Sequence, residues 1–212
     1  MSRHVRHAAV LAVALGLAAG LCGCGSQIGM PDRFHSLLPP PDNVAAATRA
    51  APGLRVEVLA VTVPVQVDMP QIVLRLPDDS MRAIEHERWI APLADEIRAA
   101  IALRIDAALT AAPAAAAASA PATAVATPLF RVALEVQRFD STLGDAASLR
   151  ALWTLQQQGV GTALRCQVND REAIASGPAA LVAGHRVMLE RLGDAIGRAV
   201  RAAAAGTVPA CA

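Results

Sequence analysis

Hydrophobic and polar residues alternate with a period of two where the chain first turns regular. Leu54, Val56 and Val58 interleave with Arg55 and Glu57, the pattern of a half-buried strand. The run then becomes apolar on both faces through Leu59, Val61 and Val63, so this strand is expected to continue to Val67, with Pro64 and Pro70 bracketing its end. Ile72–Leu76 predicts a second strand. Pro77-Asp78-Asp79-Ser80 has turn chemistry, and Met81–Glu85 is the expected return arm of a hairpin. The spacing then changes to four: Leu93, Ile97, Ile101, Ile105 and Leu109 form one stripe of an amphipathic helix that needs a sheet to cover. Pro92 suits the first helical position, and Asp95 and Glu96 suit the first turn, where the helix dipole favours negative charge.

The segment 111–128 is built of Ala, Pro, Thr and Ser and reads as a flexible insertion. Three strands are expected after it. Phe130, Val132, Leu134 and Val136 alternate with Arg131 and Glu135, and the register slips before Phe139 as a bulge would cause. Gly144-Asp145 is a turn. Leu149, Ala151, Trp153 and Leu155 form the next alternation, then Leu164, Cys166 and Val168, closed by Asn169-Asp170 as a turn. Pro178 opens a last helix with the stripe Leu181, Met188, Leu192, Ile196 and Val200. Asp194 and Arg198 are placed for an i,i+4 pair, and the tail from Ala202 is expected to fray. The order of strands, helix, strands and helix predicts an α+β two-layer sandwich: an antiparallel sheet with two amphipathic helices on one face.

The first residues have a different pattern. Met1–His7 is short and positive, Ala8–Ala19 is uncharged and apolar, and Leu21-Cys22-Gly23-Cys24 follows, the three-part layout of an export signal. The apolar run is shorter than the roughly 20 residues a membrane-spanning helix requires. The cleavage region resembles a bacterial lipobox, with Leu21 at −3, Gly23 at −1 and Cys24 at +1, which makes Cys24 the candidate lipidated residue. Several acyl chains on one cysteine hold a protein on a membrane durably. Gly25 at +2 favours the outer membrane by the sorting rule of enteric bacteria. The expected organisation is a signal peptide at 1–23, a lipidated tether at 24–52 with a candidate edge strand at Phe34–Leu38, a domain at 53–205 and a tail at 206–212.

Composition narrows the function. The net charge is +1, all 19 basic residues are Arg, and only 2% of residues are aromatic, none of them Tyr. No broad basic patch or stacking surface for nucleic acid is implied. Losing Arg3 and Arg6 with the leader would leave 17 Arg against 18 acids, a charge of −1. Of the four Cys, Cys22 leaves with the leader and Cys24 is taken by lipid. Cys166 and Cys211 remain, either as a disulfide in an oxidising periplasm or as a small buried residue and a free tail thiol. His35, His86 and His185 are scattered without ligand spacing, so no metal or cofactor is expected. His86, between two Glu, is read as solvated, and His185 as half-buried. Ser176-Gly177 lacks a nucleophile-elbow context and no phosphate loop exists. No catalytic residue is assigned.

Two blocks of residues carry a resemblance. The first holds Val61-Thr62-Val63-Pro64-Val65, then Pro70-Gln71-Ile72-Val73, then Arg88-Trp89-Ile90-Ala91-Pro92-Leu93. The second holds Val136-Gln137-Arg138-Phe139-Asp140 and the strand around Trp153. With the lipobox, this order resembles the auxiliary lipoproteins of ABC-type transport systems, the PqiC-like group. Gln66-Val67-Asp68-Met69 and the length of the 111–128 insertion depart from the family's pattern. The resemblance implies a non-enzymatic, lipid-anchored periplasmic component that works with an MCE-domain protein and its ABC permease and ATPase. It also implies lipid or another hydrophobic molecule as cargo, attachment to the outer membrane, and a homo-oligomer. Pro70, Gln71, Arg88, Trp89, Pro92, Leu93 and Trp153 are its signature residues. They form either a partner surface or a lock at the start of the helix, with Trp89 and Trp153 in the core; the lock is the favoured reading. Two other readings stand beside this one: a structural envelope lipoprotein uncoupled from transport, and a carrier that itself holds the lipid, for which an Ala-rich packed core leaves little room.

Overall fold

The computed structural model describes residues 30–40, 54–111 and 127–211. The leader, the lipobox with Cys24, most of the tether and nearly all of the Ala/Pro insertion lie outside the described residues. Among the described residues seven strands and two helices follow in order: β1 (Arg33–His35), β2 (Arg55–Thr62), β3 (Gln71–Arg75), β4 (Met81–Trp89), α1 (Leu93–Thr110), β5 (Leu129–Thr142), β6 (Ala146–Gln157), β7 (Ala163–Ala173) and α2 (Pro178–Ala204).

The strands form one open sheet in the order β1-β4-β3-β5-β6-β7, with β2 also paired to β5. The α+β class is as expected, but the sheet is mixed rather than wholly antiparallel. Short turns make β3–β4, β5–β6 and β6–β7 antiparallel. The pairs β1–β4, β2–β5 and β3–β5 are parallel. The reason lies in the connections. The chain reaches β5 from β2 and β3 only after crossing α1, and a crossover through a helix returns a strand in the same direction.

Local boundaries shift for similar reasons. β2 stops at Thr62, after a register shift between Val58 and Val61, rather than reaching Val67. β4 runs on to Trp89 because β1 and Pro70 supply partners along it. The slip before Phe139 is a shift between Val136 and Arg138. Asn169-Asp170 is not a turn: both residues lie inside β7, opposite Arg150 and Leu149. At the turn after β5, Gly144 takes a φ of +72°, a conformation open to glycine at little cost.

The inward positions of β5, Phe130, Val132, Leu134 and Val136, are buried under the helices, while Arg131, Ala133, Glu135 and Gln137 face out. Both predicted helical stripes are buried in full. Each large apolar side chain so buried is worth about 1.5–3 kcal/mol. The helices approach closely because α2 presents glycines. A Cβ on Gly193 would lie 2.7 Å from Arg104 Cβ, and one on Gly197 would lie 2.9 Å from Ala108 Cβ. Asp194 does not pair with Arg198; it takes a two-pronged hydrogen bond from Arg104 of α1, at 2.8 and 2.7 Å. The tail does not simply fray. α2 holds to Ala204, and a disulfide joins Cys211 to Cys166 on β7. Among the described residues no helix is long and apolar enough to cross a membrane.

A candidate docking strip around residues 32–38

Asp32–Leu38 is the stretch of chain nearest to the expected anchor within the sheet domain, and polar contacts fasten it at every step. β1 pairs with β4 in the register Arg33↔Glu87, Phe34↔Arg88 and His35↔Trp89. The Ile90 N–H donates to the His35 carbonyl at 2.8 Å. Asp32 Oδ2 lies 2.6 Å from Arg88 Nε, a charge contact outside hydrogen-bond alignment, and its Oδ1 lies 3.3 Å from His86 Nδ1. The hydrogen bond with His86 is the largest influence on the Asp32 carboxyl, and together with the charge of Arg88 it outweighs desolvation and holds the group below its usual range. His86 is thus partly covered and engaged rather than simply solvated.

Glu87 and Glu96 anchor the two ends of the strip. Glu87 is 2% exposed and receives Arg33 and His35 together. Burial alone would raise its carboxyl, but hydrogen bonds from His35 and Arg33 outweigh it and leave the group below the ordinary value. Glu96, 4% exposed in the first turn of α1, accepts at one oxygen from Ser36 Oγ and from the Leu37 N–H, both at 2.7 Å. Arg186 of α2 donates to the Ser36 carbonyl through Nε at 3.1 Å and Nη2 at 2.5 Å. The Leu37 side chain then sinks into the core.

Six of the seven signature residues build the floor of this strip. The Pro70 carbonyl accepts the Trp89 N–H at 2.8 Å, and Gln71 lies opposite Arg88. Trp89 is buried, its ring 6.4 Å from that of Phe139. Pro92 precedes the helix instead of being its first residue, and its carbonyl accepts the N–H groups of Asp95 and Glu96 at 2.9 and 3.0 Å. Leu93 is buried beneath. Trp153 stands apart, in the core of β6 between Leu134 and Cys166. The polar residues that hold the segment, Ser36, Glu87, Glu96 and Arg186, were not evident as a group. The one local signal was an acidic residue in the first turn of α1, which the helix dipole alone would explain.

A Ser–His pair also exists, away from the strip. Ser141 Oγ and His185 Nε2 are 2.9 Å apart, and the imidazole stacks on Phe139 at 3.9 Å. His185 is fully buried rather than half-buried, and burial holds its pKa down to about 3. Ser141 is 1% and His185 2% exposed, and His185 Nδ1 has no partner among the described residues, so the pair lacks both the access and the orienting third group of a nucleophilic triad. Among the described residues no three metal-ligating side chains converge.

Known proteins supply the wider context. No curated protein matches the sequence. A crystal structure of an uncharacterised protein superposes with a TM-score of 0.58 at 15% identity, covering 79% of this chain and 97% of that one. A crystal structure from Xanthomonas campestris, described under the DUF330 family model, gives 0.54 at 15% identity, covering 82% and 98%. At this identity they show a shared fold. The family model for the ABC-type transport auxiliary lipoprotein component matches residues 36–197, which take in Ser36–Leu38 of the docking strip, strands β2 to β7, and both helices up to the last turns of α2. The chain therefore belongs to the family of ABC-type transport auxiliary lipoproteins.

Proposed function

We propose that the protein is the lipid-anchored, non-enzymatic accessory of a transport system built on an MCE-domain protein with its ABC permease and ATPase, and that it holds this complex to the outer membrane through acylated Cys24. The cargo class is lipid or a similarly hydrophobic molecule. The observation that carries the reading is the docking strip. An anchored adaptor must pass load from its tether to its body, and here the segment that leaves the anchor side is bound by a parallel strand pairing and by two buried carboxylates. The lipobox at Leu21–Cys24 and Gly25 after it support lipidation and outer-membrane sorting.

The test is an affinity pull-down of the tagged full chain from detergent-solubilised envelopes, beside a Cys24→Ala control, with labelled palmitate to follow acylation. Recovery of an MCE-domain protein with the wild type, reduced in the control, is the expected result. Wild-type complexes that never contain one, together with normal lipid traffic in a deletion strain, would move the protein to a structural envelope role.

A further inference from the structure

The outward face of the sheet carries a second polar cluster, away from the docking strip. On adjacent strands β5 and β6, Arg138 and Arg150 stand directly opposite each other, which places their Cβ atoms roughly 5 Å apart. Like charges in this position are normally unfavourable, and nothing in the sheet's pairing demands them. Beside them Asp140, whose side chain is 5% exposed, is filled at both oxygens. Arg75 donates Nε and Nη2 to Oδ2 at 2.9 and 2.7 Å, and Arg138 donates Nε to Oδ1 at 3.0 Å. Asp79 takes the remaining arm of Arg75 at 2.6 Å.

This arrangement leaves a specific surplus. The two acids balance Arg75 and Arg138, and Arg150 is left over with no partner among the described residues. Asp140 holds Arg138 by Nε alone, so both of its terminal nitrogens still carry free donors. A fixed guanidinium beside an unpartnered one, at the mouth of a cleft of about 310 Å³, presents forked donors suited to a tetrahedral oxyanion.

We propose that Arg138 and Arg150, braced by Asp140 and Arg75, bind a phosphate group, either free or as a phospholipid headgroup. The site rests on these contacts alone and does not depend on the transport reading above.

The experiment is calorimetric titration of the full chain in an uncharged detergent with two probes, inorganic phosphate and a short-chain phosphatidic acid. Arg138→Gln and Arg150→Gln are compared with Arg198→Gln, an exposed arginine on α2 outside the cluster. Saturable binding that weakens about tenfold or more in each cluster variant, as loss of a charged hydrogen-bond donor implies, and is unchanged in Arg198→Gln, supports the site. Tighter binding of the lipid with the same dependence identifies a headgroup; equal or weaker binding of the lipid identifies free phosphate. No saturable binding of either probe, or equal weakening in Arg198→Gln, overturns it. Both cluster arginines are exposed and Arg75 still pairs with Asp140 through Oδ2 in Arg138→Gln, so each variant is expected to fold, as its circular dichroism spectrum would verify.

Discussion

Glu96→Ala should loosen the segment Asp32–Leu38 without dissolving the core. The carboxylate accepts two hydrogen bonds, from Ser36 Oγ and the Leu37 N–H, at one nearly buried oxygen. Hydrogen bonds to a charged group contribute about 1.5–3 kcal/mol each, and a buried donor left without a partner costs about 1–3 kcal/mol. Ser36 can turn its hydroxyl to water, whereas the N–H of Leu37 is held in place by a side chain only 2% exposed. The loss should therefore come to about 3 kcal/mol. For a domain of this size that is a fall in Tm of roughly 6–12 °C. Glu96→Gln keeps an acceptor of the same shape and should lose about half as much. The decisive assay is hydrogen exchange of the Leu37 amide beside the amides of β6. Exchange at Leu37 should accelerate far more than exchange at Trp153, because β1 and the segment open locally while the sheet stays closed. Equal acceleration at both sites would mean that Glu96 supports the whole domain and not the segment. No acceleration at Leu37 would refute the argument outright.

Other substitutions and conditions test the remaining packing. Gly197→Val should cost about 1–3 kcal/mol by overpacking against Ala108, measured by urea unfolding, while Ala202→Val near the exposed end of α2 should cost little. Reducing the Cys166–Cys211 disulfide, which closes a sequence separation of 45, should cost at most roughly 4 kcal/mol on the chain-entropy estimate, seen as a lower Tm in reductant that Cys211→Ser reproduces. His185 is held neutral in the fold down to about pH 3, whereas the unfolded chain takes up the proton near 6.5. Stability is then complete above 6.5 and drains as the pH falls toward 3, by up to about 1.4 kcal/mol per pH unit. Glu87 adds a second loss below its ordinary value of 4.5, because its folded pKa is depressed. His185→Gln should remove the first slope and leave the second in a pH series of thermal melts.

What could be read from the sequence was set by local periodicity. The four-residue stripe of α1 and the two-residue alternation of β5 and β6 follow from which face each residue presents, and each sits where the pattern placed it. Pairing across long separations has no such local signature. The parallel match of Arg55–Thr62 with Leu129–Glu135 joins segments divided by a helix and a low-complexity insertion, so the mixed sheet could not be read from turns. Tertiary partners also overrode local preference. Asn169-Asp170 has turn chemistry, yet Asp170 lies in a strand where Arg191 reaches it at 3.3 Å. Asp194 has a helical neighbour at i+4 but a better fork in Arg104 on the facing helix.

The signature block shows why motif and site can be legible separately and still not be joined. Arg88, Trp89, Pro92 and Leu93 read as a lock at the start of a helix, and Trp89 and Leu93 are buried. Yet Arg88 is spent on Asp32, and the backbone N–H after Trp89 is spent on His35. The turn that Pro92 starts points Glu96 at Ser36 and Leu37. A lock that served only its own helix would have no reason to end in a buried carboxylate aimed at a segment 59 positions earlier in the chain. The block is better understood as one half of a clasp whose other half is Asp32–Leu38. The contacts of this clasp, more than any pocket, are what tie Asp32–Leu38 to β4, α1 and α2.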